Sequence, residues 1–200
     1  MKALQASSQN FAIGLDKMNV FYIGVDNPLT IVVQNYSLKD IIIKVDNGTV
    51  SNDYGSYVYR AGKVGKATIT LFVKTNGKLK KIGSNYFRVK NFPDPIFKIG
   101  SGRDNVSKAE IAGQLYVRAE LEGFDIDVRY QIDSFWVCIV SSDTCKFVTK
   151  KNIGNKLSDE IREDFQRLKP NDMVIFKKIF IKRPDGVSSE LIPKMVTILE

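Results

Sequence analysis

The sequence has no histidine, and only two of its 200 residues are cysteine. Without imidazole, Ser-His-Asp and Cys-His catalysis and HExxH zinc sites are excluded. The two thiols, Cys138 and Cys145, are too few for a thiolate metal cage, and their spacing is not the CxxC of a redox dithiol. No run approaches the ~20 apolar residues a membrane helix needs. Residues Met1 to Asn10 are polar and lack the apolar core of a signal peptide. Gly100 and Gly102 are followed by no GKS or GKT, and there is no GxGxxG, so no phosphate-binding loop is expected. Carboxylates, lysines, tyrosines and hydroxyls remain as catalytic tools, but no motif assembles them. The sequence predicts neither an enzyme nor a cofactor.

What the chain does have is a strand signature broken by two prolines. In Tyr86-Phe87-Arg88-Val89-Lys90, polar and apolar residues alternate with the period of a half-buried strand. Then Pro93 and Pro95 follow, one residue apart. Each lacks an N–H, fixes its own φ and pushes the preceding residue toward extended backbone. A central strand cannot pass through them. The spacing therefore predicts a first domain over residues 1–92, a stiff linker or hinge at Pro93, Asp94 and Pro95, and a second domain over 96–200.

From Phe11 to Phe92 the chain reads as six or seven short strands rich in β-branched and aromatic residues. Turn signals separate them at Asp26-Asn27-Pro28, Asp46-Asn47-Gly48 and Asn76-Gly77, the Asn-Gly pairs favouring tight hairpins. This is the pattern of an immunoglobulin-like sandwich without the Cys…Trp…Cys of antibody domains. The second domain reads as a further sandwich. Ser107 and Glu110 have capping-box spacing, which predicts a helical turn over 107–112. Leu157 to Leu168 is the clearest helix, with Ser158 as cap, Asp159 and Glu160 in the first turn, and Ile161, Phe165 and Leu168 on one stripe. The run Phe135 to Val140 is apolar on both faces and predicts a covered central strand, with Trp136, the only tryptophan, as a core residue.

A hairpin turning symmetrically at Ser141-Ser142 would set Cys138 opposite Cys145, with Cβ atoms about 4.5–5.5 Å apart. A disulfide between them and a pair of buried free thiols both fit that register. Glu120, Glu122, Asp125 and Asp127 form an acidic cluster, read as a solvated or lysine-paired loop rather than a cation site. The basic runs around Lys78, Lys80 and Lys81, and around Lys177, Lys178, Lys182 and Arg183, read as outward strand faces that discourage edge aggregation. The formal charge of +8 is compatible with an anionic partner without requiring one. A carbohydrate- or cell-surface-binding sandwich is the alternative function, and it needs Tyr54, Tyr57 and Tyr59 exposed together.

Several segments resemble the periplasmic C-terminal region of the GldM/PorM family. They are Lys17 to Pro28 (KMNVFYIGVDNP), Phe87 to Pro95 (FRVKNFPDP), Val106 to Glu110 (VSKAE), and Glu120 to Asp127 (ELEGFDID) followed by Ser134-Phe135, in the family's order. The resemblance implies two tandem immunoglobulin-like domains from the distal end of a dimeric rod. It implies a non-enzymatic component of type IX secretion and gliding motility, located in the periplasm and anchored in the inner membrane at full length. By the same resemblance its partners are a second copy, the motor subunit GldL/PorL, and the ring proteins GldK/PorK and GldN/PorN. The pair Cys138 and Cys145, and Ile126 where the family has a second Phe, depart from the family pattern.

Overall fold

The computed structural model describes residues 11–14, 19–53, 56–75, 77–124, 128–144 and 147–199. The chain is mainly β and divides into two compact units, Met1–Phe92 and Pro93–Glu200.

The first unit contains β1 (Phe11–Gly14), β2 (Val20–Tyr22), β3 (Asn27–Val33), a 3-10 turn at Leu38–Asp40, β4 (Ile41–Val45), β5 (Thr49–Asp53), β6 (Ser56–Arg60), β7 (Gly65–Thr75) and β8 (Lys78–Lys90). These form two four-stranded sheets, ordered β1-β3-β6-β5 and β2-β8-β7-β4. Strict alternation decides which side chains go inward: Ala67, Ile69, Leu71 and Val73 on β7 and Phe87 and Val89 on β8 are buried, as are Leu29, Ile31 and Val33 on β3. The rings of Phe21 and Tyr59 meet at 4.2 Å and those of Phe21 and Phe87 at 4.8 Å between the sheets.

Two turn residues do more than reverse the chain. Asn47 and Gly48 (φ 105°) do not close a hairpin, as Asn-Gly predicts. They carry the chain from β4 in one sheet to β5 in the other. Buried Asn47 holds the crossing by donating from Nδ2 to the carbonyls of Lys63 and Lys66, while its Oδ1 accepts from Lys63 N. The Tyr59 hydroxyl donates to the Asn47 carbonyl. The second Asn-Gly behaves as expected: β7 and β8 pair antiparallel up to Thr75 opposite Lys78, with Gly77 at φ 74°.

The second unit contains β9 (Ile96–Ile99), β10 (Asn105–Ser107), α1 (Lys108–Ala112), β11 (Val117–Glu120), β12 (Gln131–Val140), β13 (Phe147–Ile153), α2 (Asp159–Gln166), β14 (Met173–Lys182), β15 (Ser188–Leu191) and β16 (Lys194–Leu199). Its main sheet is ordered β10-β16-β14-β12-β13, with β15 on the far part of β14. The β9-β11 pair and the two helices supply the facing layer. Phe97, Ile111, Leu157, Ile161 and Phe165 pack there against Phe135, Val137, Val174 and Phe176. Each fully buried ring or aliphatic chain of this kind contributes about 1.5–3 kcal/mol.

Both expected helical segments form. Ser107 and Ser158 cap them, their hydroxyl oxygens accepting from Glu110 N and Ile161 N. The Glu110 carboxylate does not complete a capping box. It accepts from Ser101 N at 2.8 Å instead, tying the β9-β10 loop to α1.

Candidate contact surfaces

Around the two prolines, each unit anchors its own end of the chain. Phe92, the last residue of the first unit, is buried and stacks on Tyr22 at 4.2 Å and 13°. Pro93, the first residue of the second unit, offers its carbonyl to the Tyr130 hydroxyl at 3.0 Å. Pro95 is buried and Asp94 exposed. Residues 91–95 have no regular secondary structure, as two prolines in three residues require. No uncommitted residue separates the two anchors.

The expected hairpin register, with a two-residue turn at Ser141-Ser142, is corrected. Cys138 lies opposite Thr149, and Val140 opposite Phe147, so the β12-β13 loop spans six residues rather than two. The longer loop follows from a distant contact. Asp172, 4% exposed, accepts from Ser142 N at 2.9 Å and Ser142 Oγ at 3.2 Å, while its other oxygen accepts from Lys169 N at 2.9 Å. That contact holds Ser142 away from a two-residue turn. Cys138 is buried and its thiol is free. Cys145 lies outside the described residues, and a disulfide no longer has the register that motivated it.

The acidic cluster is lysine-paired where it is described. Lys98 Nζ contacts Glu120 at 3.2 Å and Glu122 at 2.7 Å, and Arg118 Nε contacts Glu120 at 2.6 Å. The hydrogen bond from Arg118 outweighs burial and holds the Glu120 carboxyl below its usual range. Asp125 and Asp127 lie outside the described residues. Among the described residues, no group of three His, Cys, Asp or Glu side chains is placed to hold a metal ion, and no helix is long and apolar enough to cross a membrane.

The aromatic residues that a sugar-binding face would need point the other way. Tyr57 and Tyr59 do share one face of β6, but it is the core face, where they are 2% and 0% exposed. Burial pushes the Tyr59 hydroxyl up to about 12. Tyr54 lies outside the described residues. Trp136 is also corrected. It is half-buried on the outer side of the main sheet, in register between Lys151 and Lys177. A strand apolar on both faces does not declare its inner side. Here the helices cover the side bearing Phe135 and Val137.

Sequence reading missed the outer face of the β2-β8-β7-β4 sheet. On β7 it presents Lys66, Thr68, Thr70, Phe72 and Lys74, the residues between the buried ones. Register places Arg88 beside Lys66, Tyr86 beside Thr68, Ser84 beside Thr70 and Lys81 beside Phe72. On the flanks, Lys44 lies beside Thr70 and Lys90 beside Tyr22. Lys44 Nζ sits 5.2 Å from the Phe72 ring centroid. Tyr86 is 73% exposed in the middle of this face. The signal was present as alternating cations along two strands, but their coincidence on one side needs the register.

Residues 11–90 match the family description "GldM third domain" and residues 87–199 match "GldM C-terminal domain". No curated protein matches the chain. Among solved structures, the chain is 11% identical to fibronectin(III)-like modules of Clostridium thermocellum CbhA, covering 94% of each chain at a TM-score of 0.30. It is 10% identical to the Yersinia pseudotuberculosis adhesin InvE, covering 96% of this chain and 59% of that one at 0.31. It is 16% identical to domains 6-7 of the surface layer protein SbsC, covering 95% and 97% at 0.31. The two family matches run in order, leave no gap between the units, and meet where the first core ends and the second begins. The chain belongs to the GldM family of gliding-motility and type IX secretion components.

Proposed function

We propose that this chain is a non-enzymatic, periplasmic load-bearing segment. It passes motion or position from an inner-membrane motor to outer-membrane-associated ring proteins through protein–protein contacts. The observation that carries this reading is the junction. Two separately packed cores are joined at consecutive residues: Phe92 stacks on Tyr22 within the first unit, and the Pro93 carbonyl accepts from the Tyr130 hydroxyl within the second. A joint of Pro93, Asp94 and Pro95 loses little conformational entropy when it bears load, because proline has few states to lose. GldL/PorL is the proposed motor partner, GldK/PorK and GldN/PorN are the proposed ring partners, and a second copy completes a homodimer. Buried Tyr57 and Tyr59 remove the support for a carbohydrate-binding alternative.

The test is a pull-down of periplasmic ring proteins on the chain, repeated with Pro93→Gly and Pro95→Gly together. The expected result is capture by the parent chain and reduced capture by the double variant with both units still folded. Equal capture by both would remove the mechanical role of the joint. Light scattering at high concentration checks the dimer: a monomer mass throughout would refute it.

A further inference from the structure

The charge of this protein is carried by one half. Residues 1–92 hold 13 Lys or Arg against 5 Asp, whereas residues 93–200 hold 17 of each sign. Within the first half the imbalance is sharper still. The four strands β2, β4, β7 and β8 contain no Asp or Glu at all. Their outer face gathers Lys44, Lys66, Lys74, Lys81, Arg88 and Lys90 against a single neighbouring carboxylate, that of Asp46 just past β4, which accepts from Thr68 N at 2.7 Å; among the described residues none of the six forms an ion pair. Lys66 and Arg88 are direct cross-strand partners, an arrangement of like charges that destabilises an antiparallel pair. A solvated face designed for stability would interleave both signs, as the second unit does with Lys98, Arg118, Glu120 and Glu122.

We propose that this face docks an acidic protein surface, steered by Lys44, Lys66, Lys81, Arg88 and Lys90 and anchored on Tyr86. Charge complementarity selects an anionic occupant. The chemistry of the face favours a protein over a nucleic acid. Phe72 is covered by the Lys44 ammonium and Tyr22 by Phe92, so Tyr86 is left as a single exposed ring rather than a platform on which successive bases stack. Tyrosine is enriched at the centre of protein interfaces and lysine is depleted there, which makes Tyr86 the anchor and the surrounding cations the steering rim. A contact steered by exposed cations is fast, reversible and salt-sensitive. Only the class of occupant rests on the reading of the chain as a protein-contact module.

The test uses the full chain and three labelled probes at equal carboxylate or phosphate concentration: a Glu-Tyr random copolymer, polygalacturonate and oligo-dT. Binding is read by fluorescence anisotropy at low and high salt. The copolymer is expected to bind several-fold tighter than the other two, and high salt to weaken it by more than tenfold. Replacing Lys44, Lys66, Lys81 and Arg88 together by Gln should reduce copolymer affinity at least tenfold. Tyr86→Ser should erase the preference over polygalacturonate. Replacing Lys151, Lys177 and Lys178 on the second unit by Gln should change affinity less than twofold. The four-fold Gln variant should also melt at the parent temperature or a few degrees higher, because repulsion between Lys66 and Arg88 is relieved. Undiminished binding by that variant, equal or tighter binding of polygalacturonate or oligo-dT, or a lowered melting temperature would each overturn the proposal. The Pro93→Gly and Pro95→Gly variant should bind the copolymer like the parent, so a failure of the joint leaves this result standing.

Discussion

Replacing Asn27 by Ala should unfold the first unit early and leave the second almost untouched. Asn27 is 6% exposed. Its Oδ1 accepts from Tyr22 N at 2.8 Å, and its Nδ2 donates to the carbonyls of Tyr22 at 2.9 Å, Val25 at 3.1 Å and Tyr59 at 3.2 Å. One side chain thus ties the end of β2, which belongs to one sheet, to β6, which belongs to the other. Alanine leaves one N–H and three carbonyls without it. A buried group left unpaired costs about 1–3 kcal/mol, and three of the four contacts are only part-buried, so water recovers some of them. The expected loss is about 2–4 kcal/mol, a large share of the roughly 5–13 kcal/mol a unit of this size has. The melting temperature of the first unit should fall by about 10–25 °C. The assay exploits the sole tryptophan: Trp136 fluorescence follows the second unit, while tyrosine near-ultraviolet circular dichroism is dominated by the first. Asn27→Asp sharpens the test, since it puts a carboxylate oxygen against three carbonyls. The native state resists ionising that group, so its folded pKa is raised. The damage should therefore be full at neutral pH and shrink as pH falls through that pKa. A loss below about 0.5 kcal/mol for Asn27→Ala, or an equal shift of the Trp136 transition, would refute the reasoning.

Gly48→Ala forces a side chain into left-handed backbone at φ 105° and against the Arg60 carbonyl. It should destabilise the first unit by about 2–4 kcal/mol in the same circular dichroism measurement. Ser158→Ala removes the cap of α2 and should cost the second unit about 1 kcal/mol, read as a lower urea midpoint by Trp136 fluorescence. Alkaline titration should weaken the first unit between about pH 10 and pH 12. Burial raises the folded Tyr59 hydroxyl to about 12, so in that window the unfolded chain has released a proton that the native state keeps, and stability falls as pH rises. Tyr59→Phe should flatten this slope, and an unchanged slope would contradict it.

The local rules were legible in the sequence, and the long-range ones were not. Alternation in Tyr86 to Lys90, the break after Phe92 and the caps Ser107 and Ser158 all follow from neighbouring residues. Asn47-Gly48 specified a positive φ but not which sheet the next strand would join. The β12-β13 register depended on Asp172, 30 residues from Ser142. Tyr57 and Tyr59 were correctly placed on one face, yet nothing local says which face is wet. Lys178, at φ 49° in a bulge, turns itself and Lys177 outward together so that Phe176 and Ile179 can both face the core. A period of two cannot foresee such a slip. The cationic face escaped notice for the same reason: lysines far apart in sequence become neighbours only when four strands are laid side by side.

The absence of carboxylates from β2, β4, β7 and β8 has a consequence for how this surface behaves in a changing medium. Nothing in those strands is of a type that gains or loses a proton between about pH 5 and pH 8, because histidine is missing from the whole chain as well. Its potential is a constant across that range. Acidification can loosen a carboxylate-bearing ligand only by neutralising the ligand, so the visiting protein, and not this one, would set the pH at which the two part.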